Sequence, residues 1–433
     1  SRLFNKIPYF DENVEISQYP DIPNNEFTRD EILSMLAKEM LDAAEQLPAS
    51  QPEVGRIHKY IALAYAAKIK LYQAYQQDEI THAVTSINKE LLREVVSLCD
   101  QVTASNRYGL LDDFQGLDLV TNENGKESVF AIQYSMNDGT ESAGRINWSN
   151  LLNSPGEGSP YGGDGFFLPS QDLINAYQTD ANGLPDFNYQ SKSDYSWAVL
   201  NNGVYTLQNT TPNVDPRLDF VVGRPTITWK TYPDKPCEGW VRDKDTYGYN
   251  CAKRFWVSPE SSDMFNGWPW GASQLNWQII RYADILLWKA EALIELNEGN
   301  GLETARDLIN QIRNRARNSA YVKDFNDHSK YAANYLVNPY PADVWNQDYA
   351  RQALRWETRL EKALEGERFF DLVRWGIVET TMNKYITAES DNRIYYANAH
   401  FTGGKDEYYP VPNNQYGFSG GKYVQNPGYA PFN

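Results

Sequence analysis

The sequence predicts a mainly α-helical fold interrupted by a long, loop-rich region with short strands. Three apolar stripes with helical spacing occupy the first hundred residues, and further stripes return after residue 278. Between these two parts the helical periodicity is lost, and Gly, Pro, Asn and Asp become frequent. The chain has 433 residues, which is enough to bury a large core without disulfide or metal support.

The first predicted helix begins at a complete start signal. Thr28 is a favourable N-cap, and Glu31 follows three residues later, as in a capping box. Phe27 and Ile32 have the spacing of a hydrophobic staple across this cap. Apolar residues then recur every three or four positions until Pro48 ends the pattern. These signals predict one amphipathic helix between the cap and the proline.

Two more helical stripes complete the first part of the chain. The alanine-rich segment 56–77 carries one apolar stripe, and its small side chains allow close helix packing. The segment 87–102 carries the next stripe. We therefore expect residues 1–108 to form an antiparallel array of helical hairpins.

The middle of the chain, residues 109–277, is predicted to be irregular. Alternating apolar residues predict short strands at 128–134 and at 218–222. A short helix is predicted over 170–177, where a proline and a serine supply the start signal. Long irregular segments in compact proteins are usually functional, so we expect this part to bind the ligand.

Helical periodicity returns in residues 278–376. Stripes at 279–293 and 305–316 are joined by a short turn, which predicts a hairpin of the tetratricopeptide kind. A further helix is predicted over 348–365, and a short helix follows it. Residues 377–433 are predicted to be aromatic loops. We expect all 433 residues to form a single domain.

Charge and hydropathy exclude several classes of protein. The chain holds 57 acidic and 40 basic side chains, a net charge of −17, and has no clustered Lys/Arg segment. Nucleic acid is therefore not an expected partner, because binding a polyanion requires a basic face. No run reaches the roughly 18 apolar residues that a membrane-spanning helix needs. Aromatic residues make up 14% of the chain, which indicates a folded protein rather than a disordered one.

The three cysteines leave two interpretations open. Cys99, Cys237 and Cys251 have neither the spacing of metal ligands nor that of a disulfide framework. A bridge between Cys237 and Cys251 would close the loop 238–250 and stabilise the fold by about 3 kcal/mol in an oxidising compartment. Alternatively, both are buried thiols.

Signatures of catalysis and metal binding fail on spacing. The four histidines form neither a zinc-binding pair nor a cluster: His58, His82, His328 and His400. The segment 243–248 imitates the front of a calcium loop, but Arg254 stands where a bidentate Glu is needed. Carboxylate pairs for glycoside hydrolysis are abundant, yet a solvated acidic surface explains them more simply. We expect no catalytic residue, no metal and no cofactor.

Aromatic residues in loops are the most informative feature. The segment DMFNGWPWGASQLNW (263–277) places Trp268, Trp270 and Trp277 outside any helical stripe, together with Asn266. Indole faces stack on the C–H surfaces of sugars and amides bond to hydroxyls, so this combination suits a carbohydrate site. Three more aromatic residues in similar context complete the predicted set: Tyr161, Trp148 and Trp197. The alternative is that these rings fill the core beneath the long loops.

Several motifs resemble the SusD/RagB family of nutrient-uptake proteins of Bacteroidetes. The segment IRYADILLWKAEA (280–292) is similar to the family's helix signature, and LEGERFFDLVRWG (364–376) resembles its C-terminal motif. YYPVP (408–412) and QNPGY (425–429) resemble the terminal motif. Segments 55–74, 165–188 and 215–218 are also similar to the family, so the resemblance extends over essentially the whole chain.

The resemblance implies a SusD-like fold and a role in binding without chemistry. Family members are lipid-anchored on the outer face of the outer membrane, where they capture nutrients for a SusC-like TonB-dependent transporter. They carry a signal peptide, a lipidated cysteine and a first helical stretch, whereas this chain begins at Ser1 after those parts. The only expected membrane attachment is therefore an N-terminal lipid anchor outside this chain. The resemblance also implies that four motif residues fix helix packing through buried ion pairs: Arg281, Asp284, Arg368 and Asp371.

The leading hypothesis from the sequence is a cell-surface glycan-binding protein in a transporter complex. A peptide receptor of the RagB kind is the alternative within the binding class. A glycoside hydrolase is the alternative from the enzyme class.

Overall fold

The chain forms helical hairpins around an irregular middle segment. The computed structural model describes residues 2–141, 144–148, 153, 155–156, 158–195, 198–202, 204–207, 212–234, 237–268 and 270–432. The helices of these residues are α1 (Arg29–Gln46), α2 (Lys59–Ala74), α3 (Lys89–Ala104), α4 (Gln171–Ala176), α5 (Arg217–Val221), α6 (Lys244–Tyr247), α7 (Tyr282–Leu296), α8 (Gly301–Asn318), α9 (Gln347–Glu361), α10 (Arg368–Arg374), α11 (Val378–Ser390) and α12 (Asn413–Phe418). Among these helices, none combines the length and the apolarity needed to cross a bilayer.

The strands are short and pair only in twos within the described residues. They are β1 (Tyr75–Gln77), β2 (Val84–Ile87), β3 (Ser128–Ile132), β4 (Gln178–Thr179), β5 (Ala198–Asn201), β6 (Val204–Leu207), β7 (Asn213–Val214), β8 (Val222–Gly223), β9 (Cys251–Ala252) and β10 (Trp277–Arg281). All five pairs are antiparallel: β1 with β2, β3 with β10, β4 with β7, β5 with β6, and β8 with β9. The predicted mainly α fold with small strands is thus confirmed.

Local start signals position the first helices. Thr28 accepts the backbone N–H of Glu31, and the Glu31 side chain accepts the N–H of Thr28, so the predicted capping box is confirmed. α2 is shorter than the predicted segment 56–77, because Tyr75–Gln77 leave the helix and pair with β2. Asp78 accepts two backbone N–H groups in the turn of this hairpin, which the stripe pattern did not reveal.

The second helical region also begins with a strand. Trp277–Arg281 pair with β3, so the predicted helix at 279 begins only at Tyr282. α7 and α8 then form the predicted hairpin, and Asn297 in the turn between them adopts a left-handed conformation. α9 ends at Glu361, four residues before the predicted end.

Two predicted loop or strand segments are helical. The run 218–222 was expected to be a strand, but Arg217–Val221 form α5, since a short apolar run does not separate a strand from a buried helical turn. The last part of the chain, expected to consist of loops, contains α11 and α12. Val378, Met382 and Ile386 recur at helical spacing in α11, but Val378 is the only one of the three that is fully buried.

Three clusters of buried side chains form the core of the described residues. The first contains residues of α1, α2, α3 and of the five helices α7–α11. The second surrounds α4 and α5. The third is aromatic and lies in the middle segment around Trp229, Trp240 and Trp256. Cys237 and Cys251 belong to it as free thiols, and burial together with the adjacent Cys251 thiol raises the pKa of Cys237. The two residues are therefore adjacent and unbridged in this structure.

Ion pairs cross-link the helices inside the core. The Arg281 guanidinium donates to Glu127 at 2.7 Å, to Glu361 at 3.0 Å and to Glu365 at 2.7 Å, with 1% of its surface exposed. Burial alone would raise the pKa of Glu361, but Arg315, Arg281 and Arg217 lower it to about 2. These contacts connect the residue before β3 and the junction between β10 and α7 to the C-terminal end of α9.

Three of the four motif residues have the expected ionic partners, and one does not. Asp284 accepts the Lys362 ammonium at 2.6 Å, and Asp371 accepts Arg374 at 2.9 Å. Arg368 was expected to form a buried ion pair as well. Its guanidinium instead donates to the backbone carbonyl of Arg355 at 3.4 Å, and no carboxylate of the described residues lies within ion-pair distance. The motif at α10 therefore leaves one cation without an anion.

Candidate functional site

The candidate site is built on residues 265–268 and 270–272, which we call the tryptophan loop. The N–H of Phe265 donates to the carbonyl of Ala272 at 2.9 Å, and Met264 bridges Ser273 below it. The N–H of Gln274 donates to the carbonyl of Asp263 at 3.1 Å. These bonds form a short antiparallel stem at the base of the loop. Trp268 and Trp270 lie at its tip.

A neighbouring segment brings a third tryptophan to the loop. The N–H of Asn147, a buried residue, donates to the carbonyl of Ser273 at 2.9 Å. This bond fixes Trp148 beside the loop, and the rings of Trp148 and Trp268 meet edge to face, with centroids 5.2 Å apart at 74°. We call Trp148, Trp268 and Trp270 the tryptophan platform.

The platform rings are exposed to solvent. Trp148, Trp268 and Trp270 expose 42%, 62% and 51% of their surface. Trp270 is supported from below by backbone, because a Cβ placed on Gly162 would stand 3.1 Å from the Cβ of Trp270. Large apolar rings held outward on a fixed loop indicate a surface that binds something. Asn266, on the same loop, is also exposed and supplies an amide.

Polar groups fix the base of the loop. Asn276 is buried, its N–H donates to Glu123, and its side-chain oxygen accepts the N–H of Tyr134 at 2.7 Å. Burial raises the pKa of Glu123 to about 7, and the nearby Asp263 contributes in the same direction. The base of the tryptophan loop therefore contains a carboxyl group that titrates near neutral pH.

A cavity of about 720 Å³ lies beside the stem of the loop. Asp263 lines it together with a hydroxyl pair, in which Thr231 Oγ1 donates to Ser258 Oγ at 2.7 Å and Ser258 Oγ donates to Glu260 at 2.7 Å. Such groups can bond sugar hydroxyls. The sequence did not single them out, because they come from separate loops and no spacing rule connects them.

Two of the predicted site residues, Tyr161 and Trp277, lie outside the tryptophan platform. Tyr161 was expected in the site, but it is 1% exposed and belongs to the third core cluster. Its hydroxyl donates to the carbonyl of Val257 at 2.6 Å and accepts the indole N–H of Trp229 at 2.9 Å. Trp277 is half-buried in β10, where it packs on Phe255 with centroids 4.7 Å apart. Trp197 lies outside the described residues.

Metal-binding geometry is not found among the residues that the structure describes. In that part of the chain, no three His, Cys, Asp or Glu side chains are close enough to hold a metal ion. Asp243, the first residue of the calcium-like segment, instead caps α6 by accepting the N–H of Thr246 at 3.1 Å. The platform and the cavity can bind a ligand by stacking and hydrogen bonds.

Comparison with known proteins gives a consistent result. A model of the SusD family matches residues 126–429. A SusD-like protein from Bacteroides fragilis is 21% identical, with a TM-score of 0.64 over 99% of this chain and 76% of that one. A surface glycan-binding protein A from Bacteroides fluxus is 20% identical (TM-score 0.63; 99% and 74% covered), and a laminarin-binding SusD-like protein is 20% identical (TM-score 0.61; 99% and 75% covered). No curated protein matches the chain. At these identities the structural likeness shows the fold.

Proposed function

The chain belongs to the SusD family, and from this premise we propose that it captures glycans at the cell surface and delivers them to a partner TonB-dependent outer-membrane transporter. Binding proceeds by stacking and hydrogen bonding, without chemical change of the ligand. One structural neighbour is named for binding laminarin and another is named a surface glycan-binding protein, which supports a carbohydrate ligand here.

The observation that carries the proposal is the exposed tryptophan platform. Trp268 exposes 62% of its surface, or about 150 Å² of a tryptophan's roughly 250 Å². A sugar ring that covers about 50 Å² of it contributes roughly 1 kcal/mol at about 25 cal/mol/Å². A millimolar ligand requires about 4 kcal/mol in total. Three such rings with polar groups beside them therefore reach the range of useful affinity, whereas one ring does not.

Affinity electrophoresis in native gels that contain single polysaccharides tests the glycan proposal. We expect at least one plant, host or microbial polysaccharide to retard the native chain, and Trp268→Ala to reduce that retardation. Phe418→Ala is the matched control, since Phe418 is an exposed aromatic residue on α12, with 53% exposure, outside the platform. Equal retardation of both variants would remove Trp268 from the site.

The same preparations separate the alternative functions. Binding of peptide mixtures without binding of any polysaccharide would replace the glycan proposal by a peptide receptor. Release of reducing sugar from a bound glycan would overturn binding without chemistry.

Delivery to a transporter and lipid anchoring need a separate test in cells. The full-length lipoprotein is expected to fractionate with outer membranes and to co-purify with a TonB-dependent transporter. Recovery of the protein without any such transporter would contradict the delivery step while leaving glycan binding intact.

A further inference from the structure

A second cavity lies at the α10 motif, away from the tryptophan platform. It has a volume of about 420 Å³, and α4, α10 and α11 contribute to its walls. It shares no lining residue with the platform or with the cavity beside the stem of the tryptophan loop. Cavities of this size hold small organic ligands.

The charges on its walls do not balance. Three cations, Arg359, Lys362 and Arg368, face one lining carboxylate, Asp172. Arg359 is paired with Asp172 at 2.6 Å, and Lys362 has carboxylate partners behind the wall, Asp284 at 2.6 Å and another at 2.8 Å. Arg368 is the cation that remains, because its protein acceptor is the carbonyl of Arg355 at 3.4 Å. This excess is local, in a chain whose net charge is −17.

The Arg368 guanidinium is partly buried, lies 5.9 Å from the centroid of the Trp375 ring, and has no carboxylate partner among the described residues. Burial lowers the pKa of Arg368 to about 9, and the neighbouring Arg359 contributes further. A desolvated cation without a counter-ion is costly to a fold, and an anionic ligand that reaches it removes this cost. The planar guanidinium presents parallel N–H groups that match a carboxylate.

The remaining walls define the rest of the ligand. Leu173, Phe369, Leu372 and Met382 are apolar, while Tyr385 places a ring with a hydroxyl in the same cavity. We propose that this cavity is a binding site for a carboxylate-bearing organic anion of about monosaccharide size, with the carboxylate on Arg368 and an apolar face against α10 and α11. This site is independent of the proposed glycan platform.

Calorimetric titration with matched probes tests the proposal and separates the two sources of such a carboxylate. D-galacturonate is compared with neutral D-galactose, and N-acetyl-L-phenylalanine with its amide. We expect at least one carboxylate to bind with a Kd in the millimolar range or tighter, and its neutral counterpart roughly tenfold more weakly. Tighter binding of D-galacturonate indicates that the ligand is a sugar acid, and tighter binding of N-acetyl-L-phenylalanine indicates a peptide-type carboxylate. Failure of both acids to bind, or equal binding of the neutral counterparts, overturns the proposal.

Variants assign the binding to this cavity. Arg368→Gln is expected to weaken carboxylate binding roughly tenfold, and Arg368→Lys to weaken it less, because the charge remains without the fork. If Arg368→Gln does not fold, the variants Met382→Glu and Met382→Gln test the cavity instead, because their new side chains have the same shape and differ in charge. Met382→Glu places a competing carboxylate in the cavity and is expected to block the probe, whereas Met382→Gln is not. Equal affinity of the two Met382 variants overturns the proposal. Because Trp268→Ala leaves this cavity unaltered, it is expected to bind the carboxylate like the native chain.

Discussion

Replacement of Glu361 by Gln tests whether the buried ion pairs hold the helices together. Glu361 is fully buried and accepts Arg281 at 3.0 Å, Arg217 at 3.3 Å and Arg315. Glu361→Gln keeps the shape but leaves three guanidinium groups with one carboxylate fewer. Breaking a buried pair from one side costs about 3–5 kcal/mol. For 433 residues the unfolding entropy is about 0.9 kcal/mol/K, so Tm should fall by about 3–6 °C.

Differential scanning calorimetry at pH 7 measures this shift. Glu298→Gln is the matched control, because Glu298 pairs with Arg93 on the surface, where the two side chains are 47% and 44% exposed. The control should leave Tm nearly unchanged, since exposed pairs contribute little. A Glu361→Gln shift no larger than that of the control would refute the reasoning.

The pH dependence of Tm in the native chain and in Glu361→Gln supplies a second check. The pKa of Glu361 is lowered from 4.5 to about 2, so its stabilising contribution is present above pH 4.5 and is lost as the pH falls through 2. The difference in Tm between the native chain and Glu361→Gln should therefore narrow between pH 4.5 and 2. A constant difference in Tm over this pH range would show that the Glu361 charge is not the cause of the stabilisation.

Three further predictions concern the loop base, a close packing contact and the thiols. The pKa of Glu123 is raised from 4.5 to about 7, so the stabilisation by its protonated form is present below pH 4.5 and is lost as the pH rises through 7. Urea unfolding should therefore show that the native chain loses stability relative to Glu123→Gln between pH 4.5 and 7. Parallel stability profiles of the two proteins would contradict this. Gly223→Ala places a Cβ 2.1 Å from a tryptophan ring carbon and should cost about 1–3 kcal/mol or more by urea unfolding, whereas Gly417→Ala, with nothing within 4 Å, should not destabilise the chain. Thiol titration without reductant should find three reactive groups only after denaturation, and a count of one would show that Cys237 and Cys251 are bridged.

Elements with strong local signals could be predicted from the sequence. The Thr28–Glu31 capping box fixes the start of α1 by bonds between residues three apart, and a spacing rule describes such bonds. β10 could not be separated from α7, because Ile279 in the strand has the spacing of the apolar stripe that continues in the helix. The pairing that makes it a strand comes from β3, nearly 150 residues earlier in the chain. Its signal is therefore not local.

The candidate site also depends on contacts between residues that are distant in the sequence. Tyr161 and Trp268 both lie in glycine-rich loops, and the sequence treats them alike. Tyr161 is buried because three tryptophans from other segments surround it: Trp229, Trp240 and Trp256. Trp268 is exposed because its loop is closed by its own stem. Tertiary neighbours, which the composition of a loop does not reveal, thus decide which aromatic residues remain available to a ligand.

The central claim is that the tryptophan platform binds a glycan by stacking. The most direct measurement is the calorimetric Kd of a polysaccharide that retards the native chain, compared between that chain and the double variant Trp148→Ala/Trp268→Ala. With roughly 1 kcal/mol from each ring, the Kd should rise by roughly 10- to 100-fold while Tm stays close to the native value. An unchanged Kd in the folded double variant would contradict the account.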